Sequence, residues 1–565
     1  MNAYHIERDA REPAHLRVQF AFDVNNPGST TTELVYLPEW RPGRYELGHF
    51  SRNVRRITCT TPEGTAIRVE RADRSSWKVH HGGAPRLHIT YLYRADQPDA
   101  GGCYADDQLL YINPIHCCLY THSTRSSPIT ITMKVPANWE VACGLPHTDG
   151  GWAARDYDEL VDMPLLASPR LHHRPFRHRD IQFQLSVHAQ TPPPMDRYEA
   201  DIRRIADAQI QMMGPLPVND YHFILLTLPY AHYHGVEHRN STMMVLGPEP
   251  EVFRGLYPEL LGLSSHEFFH TWNIKHIKPV DLIRYDYQRE NYSSLGYVFE
   301  GFTTYYGDLF LLRSGLFGWQ EYAHEVDVYL SRHLVKYGRD NASLRDSGRD
   351  TWVDGYGGPA APHRSVSIYA EGMLSALCLD LEIRRCSRNR CSLDDLMRHL
   401  LSMANRGEAY DESDMVEFLS ASTGHPFLQL FGQLYHRPIT LTENLNNALE
   451  WVGCGLQPVA CEDRLARACG LRLQGGDGAQ LVVDVAPGSA SDRAGLRLGD
   501  RVTGHEPIKD QWRVRWTDRM LTEHTCVLQP DPDGWFDTCR LIHLPTRSPI
   551  QEKNYRLWVT GLPDS

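Results

Sequence analysis

Apolar residues alternate with polar or small ones in several short runs of the first 170 residues. Leu16, Val18, Phe20, Phe22 and Val24 form one run, Leu87, Ile89, Tyr91 and Tyr93 a second, and Ile129, Ile131, Met133 and Val135 a third. Strand side chains point alternately to opposite faces, so a period of two predicts half-buried strands. Asn26-Pro27-Gly28, Arg41-Pro42-Gly43 and His81-Gly82-Gly83 lie between the runs and supply turn chemistry. A sandwich or open-sheet module is expected, with one more strand at Ile181 to Val187 leading out of it.

After Pro192-Pro193-Pro194 the period changes. Ile202, Ile205, Ala208 and Met212 sit at helical spacing within Asp196 to Met213, and an apolar strand follows at Tyr221 to Leu228. A second helix is expected from near Pro258, a residue suited to a first helical turn, to about Ile274. Apolar positions at helical intervals continue through Leu312, again from Leu374 to Ile383, and again at Leu393, Leu396 and Leu400. The chain of 565 residues exceeds one hydrophobic core. The divisions expected are an N-terminal β domain at 1–170, a mainly helical domain with some strand at 171–450, and a separate unit at 451–565.

Composition narrows the class. Hydrophobic content of 41% and charged content of 23% are those of an ordinary globular protein. The net charge of −12, with no basic block, argues against nucleic-acid or anionic-membrane surfaces. The N-terminus lacks a basic segment followed by an apolar core, and no apolar run has the length of a membrane span, so a cytoplasmic location is expected. Thirteen cysteines without regular spacing fit reduced thiols, and adjacent Cys117 and Cys118 read as small buried hydrophobes.

The chemistry concentrates at Ser265-His266-Glu267-Phe268-Phe269-His270-Thr271-Trp272. On a helix, His266 and His270 point the same way and suit one metal ion, zinc first, while Glu267 between them is placed to take a proton from a water polarised by that metal. Upstream, His234-Gly235-Val236-Glu237-His238 sets an acidic residue two positions after a glycine on an extended edge. Glu237 there suits the ammonium of a substrate's free N-terminus, which would fix the register so that the first peptide bond reaches the metal. A surface ion pair with Arg239 is the plainer reading of Glu237. Catalytic zinc usually has three protein ligands, and two residues compete for the third place. His276 has the metzincin spacing, with Asn273 where that motif has glycine, and Glu300 on a following helix is the gluzincin solution.

His266 to Asn273 and Glu300-Gly301-Phe302-Thr303-Thr304-Tyr305-Tyr306-Gly307-Asp308 resemble the glycyl aminopeptidase family of gluzincin metallopeptidases, as do Leu37-Pro38-Glu39-Trp40-Arg41-Pro42-Gly43 and Glu237 to Ser241. The resemblance implies Glu300 as third ligand and an α+β multidomain fold: a β-sandwich-like N-terminal domain, a thermolysin-like catalytic domain and a C-terminal PDZ-like domain. It implies a zinc aminopeptidase acting on peptides with a free N-terminal glycine or alanine, with Tyr369 donating to the oxyanion. Glu371 stands where the family usually has lysine, which reverses a charge close to that tyrosine. Cys469 to Leu473, Leu481 to Val485 and Ala494 to Asp500 are similar to a PDZ domain, whose Gly470-Leu471 turn could receive a peptide C-terminus. Trp512 to Trp516 shows no usable pattern. The competing functions are a zinc endopeptidase and a peptide-binding scaffold.

Overall fold

A computed structural model describes residues 2–354, 362–476 and 478–561. Two compact units interleave along the chain, one made of Met1–Ser293, Tyr306–Leu316 and Met397–Asp411, the other of Ser294–Tyr305, Phe317–Leu396 and Glu412–Ser565. In the first unit the three alternating runs form strands His15–Asp23, Arg86–Arg94 and Ile129–Lys134 of one ten-stranded sheet. His15–Asp23 and Arg86–Arg94 pair antiparallel with Phe20 opposite Ile89, so both apolar rows enter the same core.

A four-stranded sheet made of Glu140–Cys143, Leu165–Ser168, Leu110–Ile112 and Tyr104–Ala105 closes that core. Its two central strands, Leu165–Ser168 and Leu110–Ile112, are buried on both faces. Leu110, Ile112, Leu165 and Ala167 point into the core shared with the large sheet, whereas Tyr111 and Leu166 pack with Ile224, Leu226, Met243 and Val245.

Those last residues belong to a five-stranded sheet in the order Leu171–His178, Ile181–His188, Asp220–Thr227, Ser241–Gly247 and His232–Glu237. The expected helix runs over Met195–Met213. The helix carrying the histidine motif spans Tyr257–Phe269 with Pro258 in its first turn, and it ends earlier than the sequence pattern suggests. Ile274 adopts φ +85°, which breaks the helical path, and the chain turns back so that the Ile277 amide reaches the Trp272 carbonyl at 2.8 Å.

In the second unit a π-helical turn, Tyr297–Phe302, leads directly into helix Thr303–Arg313, which crosses into the first unit at Tyr306. Helix Ala370–Ser387 is buried continuously from Ala370 to Leu381, and its buried Asp380 pairs with Arg384 at 3.1 Å. The C-terminal segment forms an antiparallel sheet of five strands, and Trp512 to Trp516, unreadable in the sequence, is its strand Gln511–Thr517 with Val514 and Trp516 in the core. Gly470 ends helix Arg464–Cys469 and commits its amide to the Ala466 carbonyl at 2.8 Å, so the amide expected to face a carboxylate is already bonded. The thirteen cysteines are free thiols. No helix among the described residues is long and apolar enough to cross a membrane.

Candidate active site

Helix Tyr257–Phe269 is fixed by buried polar bonds as well as by Leu260, Leu261 and Phe268. Gln209 donates to the Ser265 carbonyl at 2.8 Å, Tyr221 donates to the Glu267 carbonyl at 3.3 Å, and Ser265 Oγ donates to the Gly307 carbonyl at 2.7 Å. A Cβ on Gly307 would lie 3.3 Å from the Cα and Cβ of His266, so the following helix passes directly over the motif. The imidazoles of His266 and His270 converge, Nε2 to Nε2, at 3.1 Å. His270 Nδ1 lies 3.1 Å from the Asn273 carbonyl, an acceptor, so Nδ1 carries the proton and Nε2 presents its lone pair. Two nitrogens on a tetrahedral zinc at about 2.0–2.1 Å stand about 3.3 Å apart, and the observed pair fits that bite.

Strand His232–Glu237 lies at the edge of the five-stranded sheet. A Cβ on Gly235 would fall 2.2 Å from Glu267 Oε1 and 2.7 Å from Leu263 Cδ1, so only glycine lets the strand pass against the Glu267 carboxylate. Glu237 is 5% exposed, and a carboxylate oxygen of Glu237, one of Glu267 and a nitrogen of His270 lie within 4.8 Å of one another.

Glu237 is not the partner of Arg239, which pairs instead with Glu159 at 3.3 Å. Its cationic neighbour is Lys275, at 3.8 Å and buried. Lys275 lies nearer Asp162, at 3.0 Å, and His238 approaches the same carboxylate at 3.4 Å. Burial pushes the Asp162 carboxyl up, but the Lys275 charge and the His238 bond outweigh it and hold the group below the carboxylate range. Burial would strip the Lys275 proton, and the charges of Asp162 and Glu237 keep it on. Gly43, at φ +80°, closes the other side: a Cβ there would lie 2.3 Å from Glu237 Oε2.

The sequence alone does not single out Lys275, Asp162 and Gly43 as site residues. The signal available is faint: a lysine just past the histidine motif, and Gly43 as a turn residue at the end of the Leu37–Gly43 stretch that resembles the family. His276, the competing ligand, is hydrogen-bonded to Asn405 at 2.8 Å, beyond the turn that ends the motif helix.

The second unit holds Glu300 and Tyr369. Glu300 is 2% exposed within the π turn, a distortion common at functional sites. Tyr369 is half-buried and immediately precedes helix Ala370–Ser387. The neighbours of these residues touch: a Cβ on Gly301 would fall 2.5 Å from the Gly372 Cα. Glu371, the departure from the family lysine, is buried 2.8 Å from His333 Nδ1. His333 Nε2 accepts the Leu441 amide at 3.1 Å, so Nδ1 donates to Glu371 and the pair is carboxylate with neutral imidazole. The structure thus gathers Gly235, Glu237, His266, Glu267 and His270 in the first unit, and Glu300 and Tyr369 beside one helix contact in the second.

Comparisons with known proteins agree with this architecture. No curated protein matches the chain. An aminopeptidase N family protein from Idiomarina loihiensis has the same fold, with a TM-score of 0.89 at 22% identity over 99% of this chain and 100% of its own. An M1 zinc metallopeptidase from Deinococcus radiodurans is similar at 16% identity and a TM-score of 0.48, over 78% of this chain and 94% of its own. Residues 3–169 match the Peptidase M61 N-terminal domain, and residues 259–375 match M61 glycyl aminopeptidase. The chain belongs to the M61 glycyl aminopeptidase family.

Proposed function

We propose that this protein is a zinc-dependent aminopeptidase that removes small N-terminal residues, glycine or alanine, from peptides. The observation that carries the reading is the 3.1 Å convergence of His266 Nε2 and His270 Nε2, with the His270 proton fixed on the far nitrogen and the Glu267 carboxylate against Gly235. His266, His270 and Glu300 each offer one ligand atom, a donor set of two imidazoles and one carboxylate that suits zinc.

Zinc held by these residues supplies Lewis acidity and makes a water nucleophilic near neutral pH. Glu267 accepts the proton of the attacking water and returns it to the departing amine. Tyr369 donates its hydroxyl to the oxygen of the carbonyl under attack, where charge grows. Glu237 pairs with the substrate ammonium, and family membership supports the choice of a small first residue.

The deciding experiment is hydrolysis of glycyl and alanyl chromogenic amides, with and without an N-acetyl block, before and after chelation and zinc add-back. Cleavage of the free amines alone, lost on chelation and restored by zinc, is expected. Cleavage of the blocked amides would make the protein an endopeptidase, and no cleavage with zinc bound would overturn the reading. Glu267→Gln should lower kcat by about 10³-fold while zinc content is kept.

A further inference from the structure

Strand His232–Glu237 has a second face. Residues two apart on a strand share a side, so His232, His234 and Val236 turn away from the side on which Gly235 meets Glu267. The strand is held by Ser241–Gly247, with His232 opposite Gly247 and His234 opposite Val245, and Val236 is buried in a hydrophobic core together with Ala100. Two histidines spaced two apart on one strand face bring their imidazoles over one spot, as two spaced four apart do on a helix.

Asp99 completes the set from the loop before strand Tyr104–Ala105. Its Oδ2 lies 3.4 Å from His232 Nε2, its Oδ1 lies 2.7 Å from His234 Nδ1, and one ligand atom from each of the three lies within 4.8 Å of the others. The loop is fixed in advance: Tyr111 donates to the carbonyl of buried Ala100 at 2.6 Å, the Gly101 amide to Asp99 Oδ1 at 2.7 Å, and the Gly102 amide to the Asp99 carbonyl at 2.8 Å. Arg41 Nη2 stands 3.4 Å from His234 Nε2, and a guanidinium only donates, so Nε2 accepts and Nδ1 carries the proton to Asp99. A structural cross-link needs no more than His234. His232 is surplus to it: its Nε2 is buried and has no hydrogen-bond partner among the described residues, a cost that a bound cation removes. The three side chains are only partly buried, so an ion can reach them.

We propose that Asp99, His232 and His234 form a second metal site, for zinc or a similar divalent cation, on the opposite face of the strand from the histidine motif. Two imidazoles and one carboxylate suit zinc, whereas magnesium and calcium take oxygen ligands. Ligand atoms on a tetrahedral zinc stand about 3.3 Å apart, the spacing of the His232–Asp99 pair, and the His234–Asp99 pair opens by about 0.6 Å to match it. The ion takes the place of the His234 Nδ1 proton, which moves to Nε2, and Arg41 gives up its contact there. That exchange makes the site weaker than the one at His266 and His270. Once bound, the ion ties the Asp99 loop to the strand that carries Gly235 and Glu237. The site does not depend on the aminopeptidase reading.

The test uses full-length His266→Ala/His270→Ala protein, which lacks the other site, in equilibrium dialysis against zinc with magnesium in excess. One zinc ion per chain is expected, and cobalt in its place should show the visible absorption of a tetrahedral ion. His232 Nε2 makes no hydrogen bond, so adding His232→Ala breaks none of the bonds that hold the strand, and it should weaken zinc binding by at least about 100-fold, as loss of a ligand costs more than loss of an outer partner. In the wild-type chain His232→Ala alone should lower bound zinc from two ions per chain to one, a readout independent of how the double variant folds. No zinc bound to the double variant and only one to the wild type, displacement of zinc by magnesium, or binding that survives His232→Ala would overturn the site.

Discussion

Glu237 and Glu371 are both buried glutamates, 5% and 3% exposed, and they differ in what surrounds the carboxylate. Glu371 lies 2.8 Å from an imidazole whose other nitrogen is bonded to a backbone amide, a closed chain of donors and acceptors inside helices. Glu237 has a lysine at 3.8 Å, but that lysine stands nearer Asp162, at 3.0 Å. One cation serves two carboxylates, so the pocket keeps a net negative charge beside the metal motif. Burial alone does not separate a structural carboxylate from a binding one, and the surroundings do: Glu371 is held by a histidine that is itself bonded through its other nitrogen, whereas Glu237 lies beside the metal motif.

The largest effect should come from removing the shared cation. Lys275→Met leaves Asp162 and Glu237 buried without it and should destabilise the protein by about 3–5 kcal/mol in urea unfolding. Adding Asp162→Asn should recover part of the loss, and a cost under about 1 kcal/mol for Lys275→Met would remove lysine from the account.

Next come the two glutamates themselves. Glu237→Gln should lower kcat/KM on free-amine glycyl amides by about 10–100-fold, mostly through KM, as expected for a charged hydrogen bond worth about 1.5–3 kcal/mol. Glu371→Gln should lower stability by about 1–2 kcal/mol and leave KM in place. If both variants change KM alike, the contrast fails.

Gly43→Ala should act on the same pocket from the N-terminal domain. The new methyl would meet Glu237 Oε2 at 2.3 Å in a left-handed backbone, so a KM increase of about ten-fold is expected, with about 1–3 kcal/mol of strain in stability.

The effects of acid are spread over several pH units and need no substitution. Burial, with Arg41 adding to it, pushes the His116 imidazole down to about 3. The unfolded chain takes up this proton below about pH 6.5 and the folded chain does not, so His116 favours folding above that pH. That advantage is lost as pH falls, at up to about 1.4 kcal/mol per pH unit. Asp162, held low in the folded state, adds a second loss that begins near pH 4. Urea midpoints at about pH 7, 5.5 and 3.5 should fall in these two stages, and His116→Phe, beside the Phe50 ring at 4.0 Å, should flatten the first.

Much of this architecture is legible before any coordinates. Leu16 to Val24 and its companions are buried on one face only, and a two-residue period records that. Leu110–Ile112 and Leu165–Ser168 are buried on both faces, so their alternation is invisible. His266, Glu267 and His270 are local in sequence and were found together. The helix end at Phe269 is not legible because it depends on Ile274 in an uncommon conformation, and the π turn at Glu300 leaves no mark on hydrophobic spacing. Lys275, Asp162 and Gly43 meet only through tertiary packing, so their joint action on Glu237 has no one-dimensional signature.

The contact between Gly301 and Gly372 works like a bearing with no clearance. A single methyl on either side would overlap the opposing backbone, so neither glycine can be enlarged without pushing the two segments apart. Glu300 and Tyr369 are mounted next to that bearing, one within the π turn and one immediately before helix Ala370–Ser387. Any change that wedges it apart displaces both together, and variants at these glycines should trace one line along which the functions of the two side chains decline in proportion.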